Sequence, residues 1–256
     1  MSTRRALIAP SFVATPDMAA QSDRRVATLF ELRAYAMQPG RRDDLIDMFE
    51  SDFLDAYESC GARVLATFRD IDVEDRWVWM RAFSDARERG RALTAFYSSE
   101  TWRRLRNQAN ATIRQTRNVL LLRLSTGDAA SLSAVPPTRR QGGIIVTDVQ
   151  VVEDGDEDAQ AAAFEAYARP FLNDLGAAPF ATFQSDRSEN FYPRQSVRAE
   201  SVLVWMTRFE SGEAYADFLR KRDASSWWRE NVAPRLCGLC APETMRLRPT
   251  SRSRIR

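Results

Sequence analysis

Phe30, Leu32, Ala34 and Ala36 alternate with Glu31, Arg33 and Tyr35 in LFELRAYAM, the two-residue period of a strand with one apolar face. The turn PGRRDD follows. Leu45, Met48, Phe49, Phe53 or Leu54, Tyr57 and Cys60 then recur at helical spacing until Gly61, which predicts a helix closed by a glycine cap. RVLATFRD and RWVWMRAF read as a hairpin around IDVED, a helical region runs from Asp85 to about Arg114 with a break near Ser98 and Ser99, and NVLLLRL reads as a last strand. The same order returns in GIIVTDVQVV, a helix, PFATFQ, a loop, AESVLVWMTRF, helices from Glu213 to Ala233, and ETMRLRP. STGDAASLSAVPPTRRQGG, rich in small residues, proline and glycine, links the two runs.

The two runs share landmarks in register. Ala66-Thr67-Phe68 returns 115 residues later as Ala181-Thr182-Phe183, and the same shift carries Gly40 onto Gly155, Phe49-Glu50 onto Phe164-Glu165 and Gly61-Ala62 onto Gly176-Ala177. After the hairpin the shift is 126, taking Trp79 onto Trp205, Phe83 onto Phe209 and Trp102-Arg103 onto Trp228-Arg229. The difference falls in the polar insertion SDRSENFYPRQSVRAE. This pattern predicts a tandem duplication of a ferredoxin-like βαββαβ unit, with a lengthened hairpin loop in the second copy. Each unit leaves one sheet face bare, so the expected α+β body packs two antiparallel sheets open face to open face, barrel-like, with helices outside. The expected boundaries are a disordered leader at 1–25, a first repeat at 26–125, a linker at 126–142, a second repeat at 143–249 and a basic tail at 250–256.

A chain of 256 residues with 44% hydrophobic side chains can bury a large core. No apolar run reaches the roughly 18 to 20 residues of a membrane-spanning helix, so no membrane partner is expected. Basic and acidic side chains number 37 and 35 and are intermixed, which argues against nucleic acid as a partner. The terminal RLRPTSRSRIR reads as a solvated, frayed end. There is no histidine, which excludes Ser-His-Asp and Cys-His relays and His-ligated haem or metal. Lys221, the one lysine, sits on a polar helix end and is a poor Schiff-base amine. Carboxylates, tyrosines and thiols remain for acid/base work.

The three cysteines form no disulfide framework and place the chain in a reducing, cytoplasmic compartment. Cys237 and Cys240 have the spacing of a metal knuckle or redox pair, but they follow the helix-like WWRENVAPRL and read as a turn. The acids of EDGDEDAQ lack a calcium-loop pattern and suit a helix start. Glycine-rich phosphate loops are missing as well, so no cofactor and no metal is expected. The arginine-rich leader resembles a weak transit peptide in composition, with simple disorder the preferred reading.

Candidate chemistry comes from strand parity. If the apolar face of LFELRAYAM packs under helices, Glu31, Arg33 and Tyr35 point into the barrel. The same logic sends Trp77, Trp79, Arg81 and Phe83 inward, with Asp148, Gln150, Trp205, Thr207 and Phe209 from the second copy; Thr67 and Arg69 are favoured inward from ATFRD. Tyr97 and Trp102, beside the helix break, read as a movable rim. Charges enclosed among aromatics predict a wet or liganded central cavity, with a structural network pairing Arg33 to Glu31 or Asp148 as the alternative. The candidate catalytic set is Glu31, Arg33, Tyr35, Arg81 and Asp148: Glu31 or Asp148 as base, Tyr35 as acid or donor, Arg33 and Arg81 stabilising enolate or carboxylate charge. The candidate substrate-binding set is Thr67, Arg69, Trp79, Phe83, Tyr97, Trp102, Gln150, Trp205 and Thr207.

ELRAYAMQPGRRDDLIDMFE, GARVLATFRDIDVEDRWVWMRAF, LTAFYSSETWRRL and ANATIRQTRNVLLLR occur in order between about Thr28 and Leu124, and there the chain resembles the NIPSNAP family of the dimeric α/β-barrel superfamily. The second copy departs from it, with Val146, Asp148 and Gln150 at the positions of Glu31, Arg33 and Tyr35. The resemblance implies a superfamily that includes cofactor-free oxygenases, isomerases, dehydratases and haem enzymes; its eukaryotic family members are associated with mitochondria and vesicles. Haem members resembling it use a histidine ligand, and bacterial relatives carry a histidine shortly after the tryptophan matched by Trp102, where Leu105 stands here. The resulting expectation is a cofactor-independent bacterial tailoring enzyme. It would carry out proton transfer, rearrangement, cyclisation or oxygenation of an aromatic or polyketide-like metabolite, with a homo-oligomer open to it. The alternative is a non-catalytic binding or scaffold protein.

Overall fold

Strand β1 (Leu29–Met37) runs beside β3 (Arg76–Phe83) in unbroken antiparallel register from Leu29↔Phe83 to Ala36↔Arg76, and β2 (Arg63–Asp70) pairs with the other side of β3. A computed structural model describes residues 26–133, 143–236 and 241–256; the readings of the leader, of the proline-containing part of the linker and of the Cys237–Cys240 pair lie outside these residues. Between β1 and β2, helices α1 (Arg42–Met48) and α2 (Leu54–Ser59) form one rod interrupted by a π turn at Phe49–Phe53. Gly61, at φ 96°, then reverses the chain in a backbone conformation that side chains rarely adopt. After β3 come α3 (Ala86–Tyr97) and α4 (Glu100–Thr112), capped by Asp85 and Ser99, whose side chains accept from the amides of Glu88 at 2.8 Å and Trp102 at 3.1 Å. Strand β4 (Ile113–Thr126) closes this half.

The second half follows the same order after a short helix α5 (Ala129–Ser133): β5 (Ile144–Val151), α6 (Glu157–Ala163), α7 (Arg169–Asp174), β6 (Pro179–Ser185), β7 (Val202–Phe209), α8 (Gly212–Ala224), α9 (Ala233–Leu236) and β8 (Glu243–Pro249). A π turn at Phe164–Ala168 separates α6 from α7, 115 residues after its counterpart. The eight strands form one closed antiparallel barrel in the order β1-β3-β2-β8-β5-β7-β6-β4, so each half supplies a continuous arc of four. The arcs meet where β2 joins β8 and β4 joins β6. Closure removes the sheet edges that each arc would expose alone. No helix among the described residues is long and apolar enough to cross a membrane.

The barrel interior is packed with apolar side chains. Phe30, Leu32, Ala34, Val78, Met80 and Ala82 from the first half meet Ile145, Val149, Ala181, Phe183, Val204 and Met206 from the second, with Phe30 and Phe183 edge to face at 5.2 Å. Parity is therefore the reverse of the expectation: Glu31, Arg33, Tyr35, Trp77, Trp79, Arg81 and Phe83, and in the second half Asp148, Gln150, Trp205, Thr207 and Phe209, face the surrounding helices, not a central chamber. The reason is width. An eight-stranded barrel leaves room for little more than its own side chains, so the aliphatic face fills it, while the gap under the helices takes the long and ionisable groups.

The basic end differs from expectation too. Thr250, Ser253 and Ile255 are buried, the amides of Arg254 and Ile255 donate to the Leu65 carbonyl, and Arg252 and Arg254 pair with Asp55 and Glu58 on α2. Small hydroxyl residues and Ile255 turn inward between the arginines, and the segment packs as a strap over an acidic helix instead of fraying.

Candidate functional site

Each sheet arc and its helices enclose one cavity, and the two differ. In the second half, β5 projects Val146, Asp148 and Gln150 outward, and β7 projects Trp205, Thr207 and Phe209 beside them. Phe164, Leu172, Tyr215, Phe218, Arg222 and Trp228 from the helices complete a cavity of about 500 Å³. Asp148 lies directly across from Trp205 on β7 and from Thr244 on β8. The Thr244 hydroxyl donates to its carboxylate at 2.5 Å. Among the described residues Asp148 makes no ion pair, and Arg222, held against the faces of Phe218 and Trp228, acts on it only through space. Burial pushes the Asp148 carboxyl up to about 6, against the hydrogen bond from Thr244, the charge of Arg222 and the hydrogen bond from Trp205, which pull it down. Burial and the neighbouring Asp148 likewise raise the Tyr215 phenol, so it stays protonated and able to donate.

In the first half the equivalent cavity is about 300 Å³, lined by Arg33, Tyr35, Phe49, Phe53, Tyr57, Trp77, Trp79, Tyr97 and Trp102. Its floor carries a charge cluster in place of open space. Glu31 accepts from Arg33 Nη1 at 3.2 Å, from Arg89 Nε at 2.6 Å and from Arg81 Nε. Burial opposes ionisation of Glu31, yet the Arg81, Arg33 and Arg89 guanidiniums outweigh it and hold the carboxyl well below the usual carboxylate range. Such a carboxylate is a poor base at neutral pH.

The size difference follows from four replacements at matching positions. Glu31, Phe53, Tyr57 and Arg81 correspond to Val146, Ala168, Leu172 and Thr207, each smaller. The insertion in the second copy, residues 186–201, also crosses to the first half and covers its cavity. Gln195 Oε1 accepts from Arg33 at 3.1 Å and Arg81 at 3.0 Å, Gln195 Nε2 donates to Tyr97 at 2.5 Å, Asn190 Oδ1 accepts from Arg89 at 2.8 Å, and Tyr192 stacks on Tyr97.

The expected single site is thus two. Arg33, Tyr35, Trp79, Tyr97 and Trp102 meet in the first cavity; Asp148, Gln150, Trp205 and Thr207 meet in the second. Glu31 and Arg81 lie beneath the first without lining it, and Phe83 packs against Arg81. Thr67 and Arg69 face the first helix, where they bond Glu50 and Asp43, and line neither cavity. Tyr57, Gln195, Tyr215 and Arg222 were not expected. The first, third and fourth sit on helices, where an apolar or charged stripe reads as packing or solvated surface, and Gln195 sits in a loop whose destination has no local signal. Among the described residues no cluster of acids and cysteines could hold a metal ion.

A closed antiparallel barrel with helices outside and a cavity under each helical layer defines the dimeric α/β-barrel class, here with both halves in one chain. Residues 30–126 match the NIPSNAP family model. Solved structures share the whole architecture at low identity. An anthrone oxidase-like protein is 13% identical with a TM-score of 0.62, covering 88% of this chain and 92% of its own. A candidate monooxygenase from Fusobacterium nucleatum is 8% identical with a TM-score of 0.57, covering 88% and 93%. Another, from Lactobacillus acidophilus, is 11% identical with a TM-score of 0.52, covering 87% and 94%. These likenesses establish the fold. No curated protein matches the chain.

Proposed function

We propose that the chain is an internally duplicated ferredoxin-like protein whose second half is a cofactor-independent enzyme, with Asp148 as general base toward an aromatic or polyketide-like metabolite. The observation that carries this reading is Asp148 itself, a carboxylate without an ion pair among the described residues and raised to about 6, in a largely apolar cavity of about 500 Å³. At pH 7 such a group is mostly ionised yet more basic than a solvated aspartate, which suits abstraction of a weakly acidic proton. Arg222 would stabilise the enolate or phenolate that forms; Tyr215 or Gln150 would donate to it; Trp205 and Phe164 would hold an aromatic face. The carbanion could then rearrange, cyclise or react with oxygen. That the fold also carries an anthrone oxidase-like protein and candidate monooxygenases is in keeping with this chemistry.

Anthrone, whose methylene is acidified by two rings and a carbonyl, is a direct probe. In deuterated buffer without oxygen, the protein should catalyse deuterium uptake at that methylene, with a rate that rises as pH passes about 6. Asp148→Asn should lower the rate by roughly 100-fold or more. Equal rates in the two proteins would remove Asp148 as the base.

A further inference from the structure

Three guanidiniums, those of Arg33, Arg81 and Arg89, surround the single carboxylate of Glu31, and all four residues are at most 1% exposed. Among the described residues no other acid pairs with the three. The excess positive charge is met by neutral oxygens: Gln195 Oε1 on Arg33 and Arg81, the Tyr35 hydroxyl on Arg33 Nε at 3.0 Å, and Asn190 Oδ1 on Arg89. Arg33 and Arg81 also lie over the rings of Tyr35, Tyr57, Trp79 and Phe83, which eases their burial but brings no counter-charge. Further donors are left over: Arg81 Nη1 and the indole N–H groups of Trp77 and Trp79 are buried without an acceptor, and both tryptophans line the cavity of about 300 Å³. Buried donors in native proteins are nearly always satisfied, so these orphans, together with the uncompensated charge, mark a region short of acceptors at the floor of this cavity.

The cover over this cavity comes from far along the chain. Gly90, in the interior of α3, lets residues 186–201 approach: a Cβ there would lie 2.8 Å from Phe191 Cβ and 3.0 Å from its carbonyl oxygen. A glycine in mid-helix costs stability, and close approach of the loop is what it permits here.

We propose that the first-half cavity is a second ligand site, for an aromatic carboxylate, and that Gln195 occupies its anion subsite in cis. The amide oxygen of Gln195, held by two guanidiniums, stands where one carboxylate oxygen of the ligand binds; Tyr35, Trp79, Tyr97 and Trp102 hold the ring. The loop and the ligand compete, so removing the amide frees the subsite, whereas a carboxylate built into the loop fills it permanently. This inference concerns the other cavity and stands or falls apart from the chemistry of Asp148.

2-Naphthoate and its neutral isostere 2-naphthamide are the probes, read by thermal shift and calorimetry on the full chain. Naphthoate should stabilise the wild type, bind Gln195→Ala roughly tenfold more tightly because the occupied fraction no longer taxes binding, and leave Gln195→Glu unchanged. Naphthamide should stabilise none of them, and Asp148→Asn should bind naphthoate as the wild type does. Equal responses of wild type, Gln195→Ala and Gln195→Glu, an equal response to the amide, or no response from wild type and Gln195→Ala alike would overturn the proposal.

Discussion

Glu31→Gln separates a structural role from a catalytic one. Glu31 receives hydrogen bonds from three arginines, and each of the four side chains is buried. A neutral amide would leave three guanidiniums packed together with no negative charge among them. Breaking a buried ion pair by removing one partner costs about 3 to 5 kcal/mol, and here one residue serves three partners, so the upper end applies. For a domain of this size each kcal/mol moves the melting temperature by roughly 2 to 4 °C, giving a drop of about 10 °C or more. The acid limb adds a signed check. The folded-state carboxyl lies well below its ordinary 4.5, so its contribution is complete above that value and fades as pH falls beneath it; wild type and variant should begin to approach each other below about pH 4.5 and meet only far into the acid range. Thermal melts at pH 7, and urea titrations followed by circular dichroism from pH 7 down to about pH 3, measure the two effects. A variant that melts within a degree or two of the wild type but has lost activity would show that Glu31 does chemistry and is not the hub of the cluster.

Asp148→Asn should act in the opposite sense on stability. The Asp148 carboxyl is raised from 3.8 to about 6, so the wild type gives up stability as pH rises from about 4 to about 6, and asparagine does not. Two units correspond to at most about 3 kcal/mol, so the variant should be the more stable protein at pH 8 and comparable at pH 4; lower stability at pH 8 would refute a desolvated carboxylate. Trp205→Phe removes one donor to Asp148 and should move the midpoint of the exchange-rate profile upward. Gly90→Ala gains about 1 kcal/mol of helix propensity but drives a Cβ into Phe191. It should lower the melting temperature and tighten naphthoate binding, and a higher melting temperature with unchanged binding would show that the loop does not depend on that glycine.

Much of the architecture was legible because periodicity and the repeated landmarks do not depend on tertiary context. Element order, the helix break at Ser98 and Ser99 and the long loop before β7 all follow from local pattern. What parity could not supply was the sense of the two faces: alternation in LFELRAYAM separates Phe30, Leu32 and Ala34 from Glu31, Arg33 and Tyr35 but is silent about which set a barrel encloses. Side-chain size held the missing signal. Ala34, Ala66, Ala82 and Ala181 cluster on one face, as a narrow interior requires, while tryptophans and arginines crowd the other. Asp148 could be singled out because the repeat register puts it at the position of Arg33, on the same strand face as Gln150. The cover from Gln195 could not, since its contact with Arg33 spans 162 residues and follows from closure of the barrel.

The location of a bound molecule decides whether the reaction chamber lies under the second helical layer. Crystals soaked anaerobically with anthrone should show it between Trp205 and the helices, its methylene carbon within reach of the Asp148 carboxylate. Density inside the barrel, or an empty second cavity beside an occupied first one, would contradict that placement.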